Sequence, residues 1–421
     1  MVGAMQSVEE FTEDAAAWLE ANATPRVADA GQRDLVWGEG EFSVSIFHAL
    51  SHDDEHALVE SLKKWNQKKA ERGYHAIHWA TEFGGLGLSR KHASAFARLE
   101  RGYEMPPGHE IIGVTKGLVA STLNVFGTPE QNERFIGPLL RTDILCSQLF
   151  SEPGAGSDLA SLACRADRDG DEWVVNGQKV WSSGAQFAEW GLLIARTDPD
   201  AVKHKGLTAF MVPLEHQGVE VRPIKQMSGG SSFNEVFFND ARFDDDLRVG
   251  PVGEGWKVAL TTLGFERDHS DDSGGGQAVG GGWHHVLATA RAMDRCDDPV
   301  IRQALMEVYI GARVERFVNK RAADLARGGT PGPEGSLTKL VWTEQMTRIS
   351  DVIGLLLGPA LVADTGAWGT YEWGEHLLGA PGYRIAGGSD EVQRNIIGER
   401  VLGLPGEPRV DKGVPWKDVP R

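Results

Sequence analysis

Apolar residues recur at helical spacing through the first third of the chain. Val8, Phe11, Ala15 and Leu19 share one face, with acidic residues between them. Thr128-Pro129-Glu130-Gln131 predicts a helix start, with Thr128 as N-cap, Pro129 in the first turn and Gln131 closing a capping box. Phe135, Leu139 and Leu140 then form its buried stripe. From about residue 145 to 243 the period shortens to that of strands. Trp173-Val174-Val175 and Lys179-Val180-Trp181 flank Asn176-Gly177, a dipeptide favoured in two-residue hairpin turns. Residues 191–195, 207–212, 219–221 and 235–238 read as further strands. Short strands with frequent turns and no intervening helix predict an antiparallel sheet or small barrel. Helical spacing returns at residue 255, with long candidates at 256–265, 300–327 and 336–357. Glycines at 274–276 and 280–282 interrupt the first, each costing about 1 kcal/mol against alanine inside a helix. That helix either stops near Ser273 or trades stability for close approach of a ligand.

The order of helices, sheet and helices excludes a βαβ dinucleotide-binding array. It predicts an α+β multidomain chain: a helical N-terminal domain over 1–144, a central β-domain over 145–246 and a C-terminal helical bundle over 247–404. The Pro- and charge-rich residues 405–421 are an arm or a frayed end. A net charge of −17 over 421 residues argues against nucleic-acid or anionic-membrane binding. An anionic ligand therefore needs a local cluster of donors. Cys146, Cys164 and Cys296 are too scattered for a disulfide framework, so a reducing, cytoplasmic setting is expected. No leader-like N-terminus and no apolar run of about 18 residues stands out, so no membrane span is expected. His269, His284 and His285 lack a metal-ligand pattern, and no metal site is expected.

The candidate chemistry begins at residues 146–158. There an apolar strand-like run meets Glu152-Pro153-Gly154-Ala155-Gly156-Ser157-Asp158. Glycines let backbone N–H groups approach an anion, and the Ser157 hydroxyl adds a donor. Asn176-Gly177-Gln178-Lys179-Val180-Trp181-Ser182-Ser183-Gly184 comes next. Together these segments resemble the acyl-CoA dehydrogenase flavoprotein family. Trp79-Ala80-Thr81-Glu82-Phe83-Gly84-Gly85, Phe233-Asn234-Glu235-Val236 and Gly253-Glu254-Gly255-Trp256 resemble its linking motifs. Gly387-Gly388-Ser389-Asp390-Glu391-Val392-Gln393-Arg394-Asn395 resembles its C-terminal signature.

The resemblance implies a helical N-terminal domain, a β-domain, a C-terminal four-helix bundle, FAD near a subunit interface and a tetramer. It implies α,β-desaturation of an acyl-CoA thioester and electron-transferring flavoprotein, or a similar protein, as electron acceptor. Phe150 and Ser151 would lie against the flavin ring, and Trp181 would pack on it. Ser182 and Ser183 would stand beside it, with Ser183 at the N5 region. Ser157 would sit near the pyrophosphate and the acyl-CoA, and Ser389 and Glu391 near the adenosine half. Many relatives carry their catalytic glutamate just before the glycine of the C-terminal motif. Gly387 stands in that slot here, leaving its N–H for the thioester oxygen beside Gly388. A second branch takes the base from a Glu-Arg pair at the start of the bundle, which matches Glu266-Arg267. Glu266 is therefore the expected base, with Arg267 on the substrate or orienting Glu266. The family's Arg-x-x-Phe-Gly motif is missing; Arg302 is the candidate replacement at the flavin.

The pattern resembles actinobacterial members, some acting on bulky or steroid side-chain thioesters and some forming mixed tetramers with incomplete flavin sites. The polar residues 268–276 either line the acyl cavity, which suits a bulky, short or oxygenated acyl group, or turn into solvent. Two other readings stay open: a flavin oxidase or monooxygenase, and a partner subunit of a mixed tetramer.

Overall fold

Ser7 and Thr128 set two helix starts by the same device. Each hydroxyl accepts a backbone N–H three residues on, and Glu10 or Gln131 returns the bond to the cap's own N–H. The computed structural model describes residues 6–26, 44–47, 49–266, 280–326, 332–363 and 371–419. The N-terminal helices are α1 (Val8–Asn22), α2 (His52–Ala70), α3 (Arg90–Glu100), α4 (Glu110–Gly113), α5 (Ala120–Phe126) and α6 (Pro129–Arg141). A π-helical turn, Val114–Val119, joins α4 to α5. Phe11, Ala15 and Leu19 are buried as their spacing requires, packing with Tyr74, Ile77 and Phe96.

The strands are β1 (Cys146–Leu149), β2 (Arg165–Asp169), β3 (Glu172–Ser183), β4 (Trp190–Arg196), β5 (Leu207–Pro213), β6 (Val219–Ile224), β7 (Phe233–Asp244) and β8 (Arg248–Val249). They lie in the order β6-β7-β3-β2-β4-β5-β8, with β1 also on β4. Pairing is antiparallel except where β1 and β2 run parallel to β4. The expected hairpin at Asn176-Gly177 is not there. The turn falls earlier, at Gly170 (φ 65°), where Asp169 faces Glu172. Asn176 and Gly177 stay inside β3, at a bulge against β7. Gly177 is needed for space: a Cβ there would stand 2.7 Å from the Cα of Cys164. The dipeptide marks a bulge and a close backbone approach instead of a reversal.

The C-terminal helices are α7 (Gly255–Glu266), α8 (Trp283–Ala292), α9 (Pro299–Ala326), α10 (Gly335–Leu357), α11 (Glu372–Tyr383) and α12 (Asp390–Ile396). α7 is set apart from the rest of the bundle. Its Val258 and Ala259 belong to the core shared by the β-domain and α5, and Thr262 Oγ1 meets Thr122 Oγ1 at 2.9 Å. Helices α8 to α11 enclose a second core around Val286, Leu305, Ile349, Ile353 and Trp373.

The tail is an arm, not a frayed end. Its Trp416 stacks on the buried Arg196 guanidinium (4.6 Å) and donates its indole N–H to Ser161 O (3.2 Å). Trp416 N and Lys417 N bond to Ala201 O and Pro199 O.

Candidate active site

The loop after β1 is clamped from below by a buried ion pair. Lys179, with no exposed side chain, donates to Glu152 Oε1 (2.7 Å) and Phe150 O (3.0 Å). The Glu152 carboxylate also accepts from Ala163 N (2.6 Å) and Cys164 N (2.9 Å). Val180 N donates to Ser151 O, and Glu152 and Ala155 exchange backbone hydrogen bonds. With its floor fixed, the loop's other face is open. A Cβ at Gly154 or Gly156 would meet nothing within 4 Å. The Ser151 hydroxyl makes no hydrogen bond among the described residues. Sequence reasoning passed over Lys179 and Glu152. A lysine amid apolar strand positions, 27 residues from a carboxylate in a glycine loop, was the available signal.

Trp181 follows that clamp on a second β3 bulge, between Lys179 and Ser182. Its φ is 61°, a conformation costing on the order of 1–2 kcal/mol for a residue with a side chain. The bulge turns the indole outward, leaving Trp181 58% exposed and edge-on to Phe233 at 5.9 Å. Ser182 beneath it is buried, and its Oγ has no hydrogen-bond partner among the described residues. Asn234 Nδ2 holds Ser182 O (3.0 Å) and also bonds Gln186 Oε1. Ser147 Oγ donates to Ser183 O (3.0 Å), tying β1 to the end of β3.

The C-terminal motif arrives at the same loop. Gly387 (φ 63°) and Gly388 (φ 85°) take left-handed conformations, and Gln393 Nε2 donates to Gly387 O (2.8 Å). No hydrogen bond of the described chain uses the Gly387 N–H. Ser389 caps α12 by accepting from Val392 N, and its Oγ lies 3.4 Å from Ser157 Oγ. Two serines 232 residues apart, both expected at the cofactor, thus face each other. The motif's anchor is the buried Asp390, which accepts from Arg384, Lys339 and Thr343 at 2.9 Å each. Burial alone would raise its carboxyl; the three donors outweigh that and hold it below the usual range.

On the loop's far side Asp158 Oδ2 accepts from Lys203 Nζ (2.7 Å) and Ser161 Oγ (2.6 Å). Lys203 also reaches the tail's Asp411 (2.8 Å).

The other expected residues stand apart. Glu391 is exposed and pairs loosely with Arg394 (3.8 Å). Arg302 is exposed on α9. Glu266 is the last residue of α7, whereas Arg267 and residues 268–276 lie outside the described residues. Burial pushes the Cys164 thiol up to about 11 and Cys146 higher still, so neither supplies a thiolate near neutral pH. A depression of about 280 Å³ lies beyond Phe187, lined by His56, Lys63 and Glu215.

An open glycine cradle, an outward aromatic on strained backbone and an unpartnered buried hydroxyl fit a large planar cofactor carrying phosphates. Comparison with known proteins agrees. The models for the N-terminal, middle and C-terminal domains of acyl-CoA dehydrogenases match residues 45–143, 147–241 and 253–402. The chain belongs to the acyl-CoA dehydrogenase family. It is an oxidoreductase of acyl-CoA thioesters, in a family whose cofactor is FAD. It is 39% identical to the acyl-CoA dehydrogenase IpdE1 of Mycobacterium tuberculosis (strain ATCC 25618 / H37Rv), over 96% of this chain and 99% of that protein. It is 36% identical to IpdE1 of Mycolicibacterium smegmatis (strain ATCC 700084 / mc(2)155), over 96% of this chain and 99% of that one. Among solved structures it resembles the Tcur3481-Tcur3483 steroid ACAD, with a TM-score of 0.70 and 25% identity over 95% of this chain and 98% of that one. The ChsE4-ChsE5 complex of Mycobacterium tuberculosis matches with a TM-score of 0.68 and 25% identity, over 97% and 100%.

Proposed function

We propose that this chain desaturates the α,β bond of a bulky, non-linear acyl-CoA, with Glu266 as the base. The observation that carries the reading is a paired exchange. The slot used by many relatives holds Gly387, in a left-handed conformation, while a glutamate closes α7. α7 is fixed between the π-helical turn, α5 and the β-domain, a rigid mounting for a proton acceptor. Glu266 takes the Cα proton, and Arg267 orients it or meets the thioester. The Gly387 N–H, with Gly388 beside it, steadies the negative charge that develops on the thioester oxygen. Phe150, Ser151, Trp181, Ser182 and Ser183 hold the isoalloxazine; Ser157, Ser389, Glu391 and Arg302 hold the rest of FAD. When bound, FAD supplies the acceptor for the Cβ hydride. A structural neighbour at 25% identity is named a steroid ACAD, which supports a bulky acyl group.

The test is Glu266→Gln. Anaerobic mixing with a panel of branched and ring-bearing acyl-CoA thioesters should bleach wild-type flavin, and the variant should do so about 10²–10⁴ times more slowly. Near-normal bleaching by the variant would remove Glu266 from the mechanism. Reoxidation of the reduced enzyme by electron-transferring flavoprotein, but not by oxygen, separates a dehydrogenase from an oxidase or monooxygenase.

A mixed tetramer is the second element of the proposal. Met306, Ile310, Val314 and Phe317 form an exposed stripe along α9. Exposed Arg302, Arg313, Arg316, Lys320 and Arg321 accompany it, in a chain of net charge −17. With Glu307 and Asp324 as its exposed acids, α9 still carries an excess of positive charge, and like-charge repulsion between two copies favours a non-identical partner over a homotetramer. Both 25%-identical structures carry the names of two chains, in keeping with this.

A further inference from the structure

Gly387 is exposed, and the turn that carries it is closed twice over. Asp390 N donates to Arg384 O, and Arg384 Nε donates back to Asp390 Oδ2, both at 2.9 Å. Backbone and side chain thus shut residues 384–390 into one closed turn. α10 braces it from below: Lys339 Nζ and Thr343 Oγ1 each donate to Asp390 Oδ1 at 2.9 Å, and Asp390 is buried. Gln393, equally buried, reaches back into the turn from α12. Its Nε2 donates to Gly387 O (2.8 Å) and lies 3.4 Å from Gly388 O. Gly388 makes room for that amide, since a Cβ there would stand 2.6 Å from Gln393 Nε2. Gln393 Oε1, meanwhile, is buried with no partner among the described residues. An apolar side chain of the same shape would leave no such orphan, and flipping the amide would set oxygen against oxygen. A buried amide kept with one end unmet points to a demand at the other end, which is the Gly387 carbonyl. With that carbonyl tied inward and φ held at 63°, the Gly387 N–H is left exposed, fixed and unused by the described chain.

We propose that Gln393 and Asp390 are positioning residues for the desaturation: Asp390 closes the turn, and Gln393 holds the Gly387 carbonyl so that the Gly387 N–H stays aimed at the thioester oxygen. The inference rests on the desaturation reading above. Negative charge reaches that oxygen only as the Cα proton leaves for Glu266. A donor fixed beforehand needs no reorganisation at that moment. Loosening the turn therefore slows enolate formation far more than it weakens binding of the intact thioester. The closed turn also carries Ser389, whose Oγ lies 3.4 Å from Ser157 Oγ, so it is registered against the flavin loop as well.

The experiment compares the FAD-loaded wild type with Gln393→Met, which keeps volume and removes the donor, and Asp390→Asn, which keeps shape and removes the charge. The probe is the 3-thia analogue of the thioester that bleaches wild type fastest. Its Cα proton can leave, but the sulfur in place of Cβ has no hydride to give. Its enolate, stacked on oxidised flavin, gives a long-wavelength charge-transfer band. Calorimetry below the pH at which the band appears reads binding of the intact thioester. In Gln393→Met the pH of half-formation should rise by about 1 unit or more, a tenfold loss of enolate at fixed pH. Flavin should stay bound and Kd stay within about threefold. With the parent thioester kcat should fall about 10–10²-fold, less than for outright removal of an oxyanion donor, with KM little changed. Asp390→Asn should move the band in the same direction, and a band left at the wild-type pH removes Asp390 from the role. An unmoved band in Gln393→Met overturns the assignment, as does loss of flavin or an equal weakening of binding and band. If no thioester bleaches wild type, the desaturation reading fails instead. Hydrogen exchange over residues 384–391 then decides whether Gln393 holds the turn: about tenfold faster exchange in Gln393→Met supports it, and unchanged exchange rules it out.

Discussion

Lys179 and Glu152 show at the residue scale how a flexible-looking loop becomes a fixed platform. Removing one partner of a buried ion pair strands the other charge, typically at about 3–5 kcal/mol. Lys179→Met should therefore lower stability to urea by roughly that amount and release FAD, checked by unfolding curves and flavin absorbance after desalting. Pairing it with Glu152→Gln should recover part of the loss. That Trp181, Ser157 and Ser389 are candidates was legible, because the motifs that carry them are specific. Their arrangement was not. No propensity predicts φ 61° at a tryptophan, and nothing in the chain announces that two serines 232 residues apart meet at 3.4 Å. The Glu152–Lys179 clamp stayed hidden because a lysine in a strand normally reads as a solvent-facing residue.

At the scale of elements, the long helices α9 and α10 and the capped start of α6 came straight from spacing and cap chemistry. Asn176-Gly177 misled because the same dipeptide suits a tight turn and a bulge, and only the partner strand decides between them. The tail was ambiguous for a similar reason: its anchors, Arg196, Ser161 and Lys203, lie in another domain. The C-terminal family model ends at residue 402, before this strap begins. It steadies residues 158–161, next to Ser157. Trp416→Ala should loosen that segment, with faster amide exchange at residues 158–162 and FAD affinity lowered several-fold. A variant with unchanged exchange and unchanged FAD affinity would make the strap a passive ornament.

At the scale of the whole molecule, burial also writes a pH dependence. His75 is buried, and neither ring nitrogen is hydrogen-bonded among the described residues. Its burial, then the charges of Lys116, Arg141 and Lys69, depress it to about 4. An unfolded chain takes that proton near 6.5. Between about 6.5 and 4 the unfolded state binds more protons, so stability falls as pH falls, by about 3 kcal/mol over the full range. Denaturation midpoints measured from pH 7 to 4 should show this limb, and His75→Phe should flatten it. Lys116, held to about 7 first by its burial and then by Lys69, gives a further rise between about 7 and 10.4. The order of helical, β and helical regions was legible because each changes its hydrophobic period. The way they interlock was not.

That interlock bears on engineering. Because Val258, Ala259 and Thr262 are seated in the β-domain and against α5, the unit that carries Glu266 is inherited with the front of the protein. A chimaera with a crossover near residue 252 would force a foreign helix into a socket shaped for this one. Crossovers placed beyond residue 266 would leave the socket filled by its own helix and exchange only the remainder of the bundle.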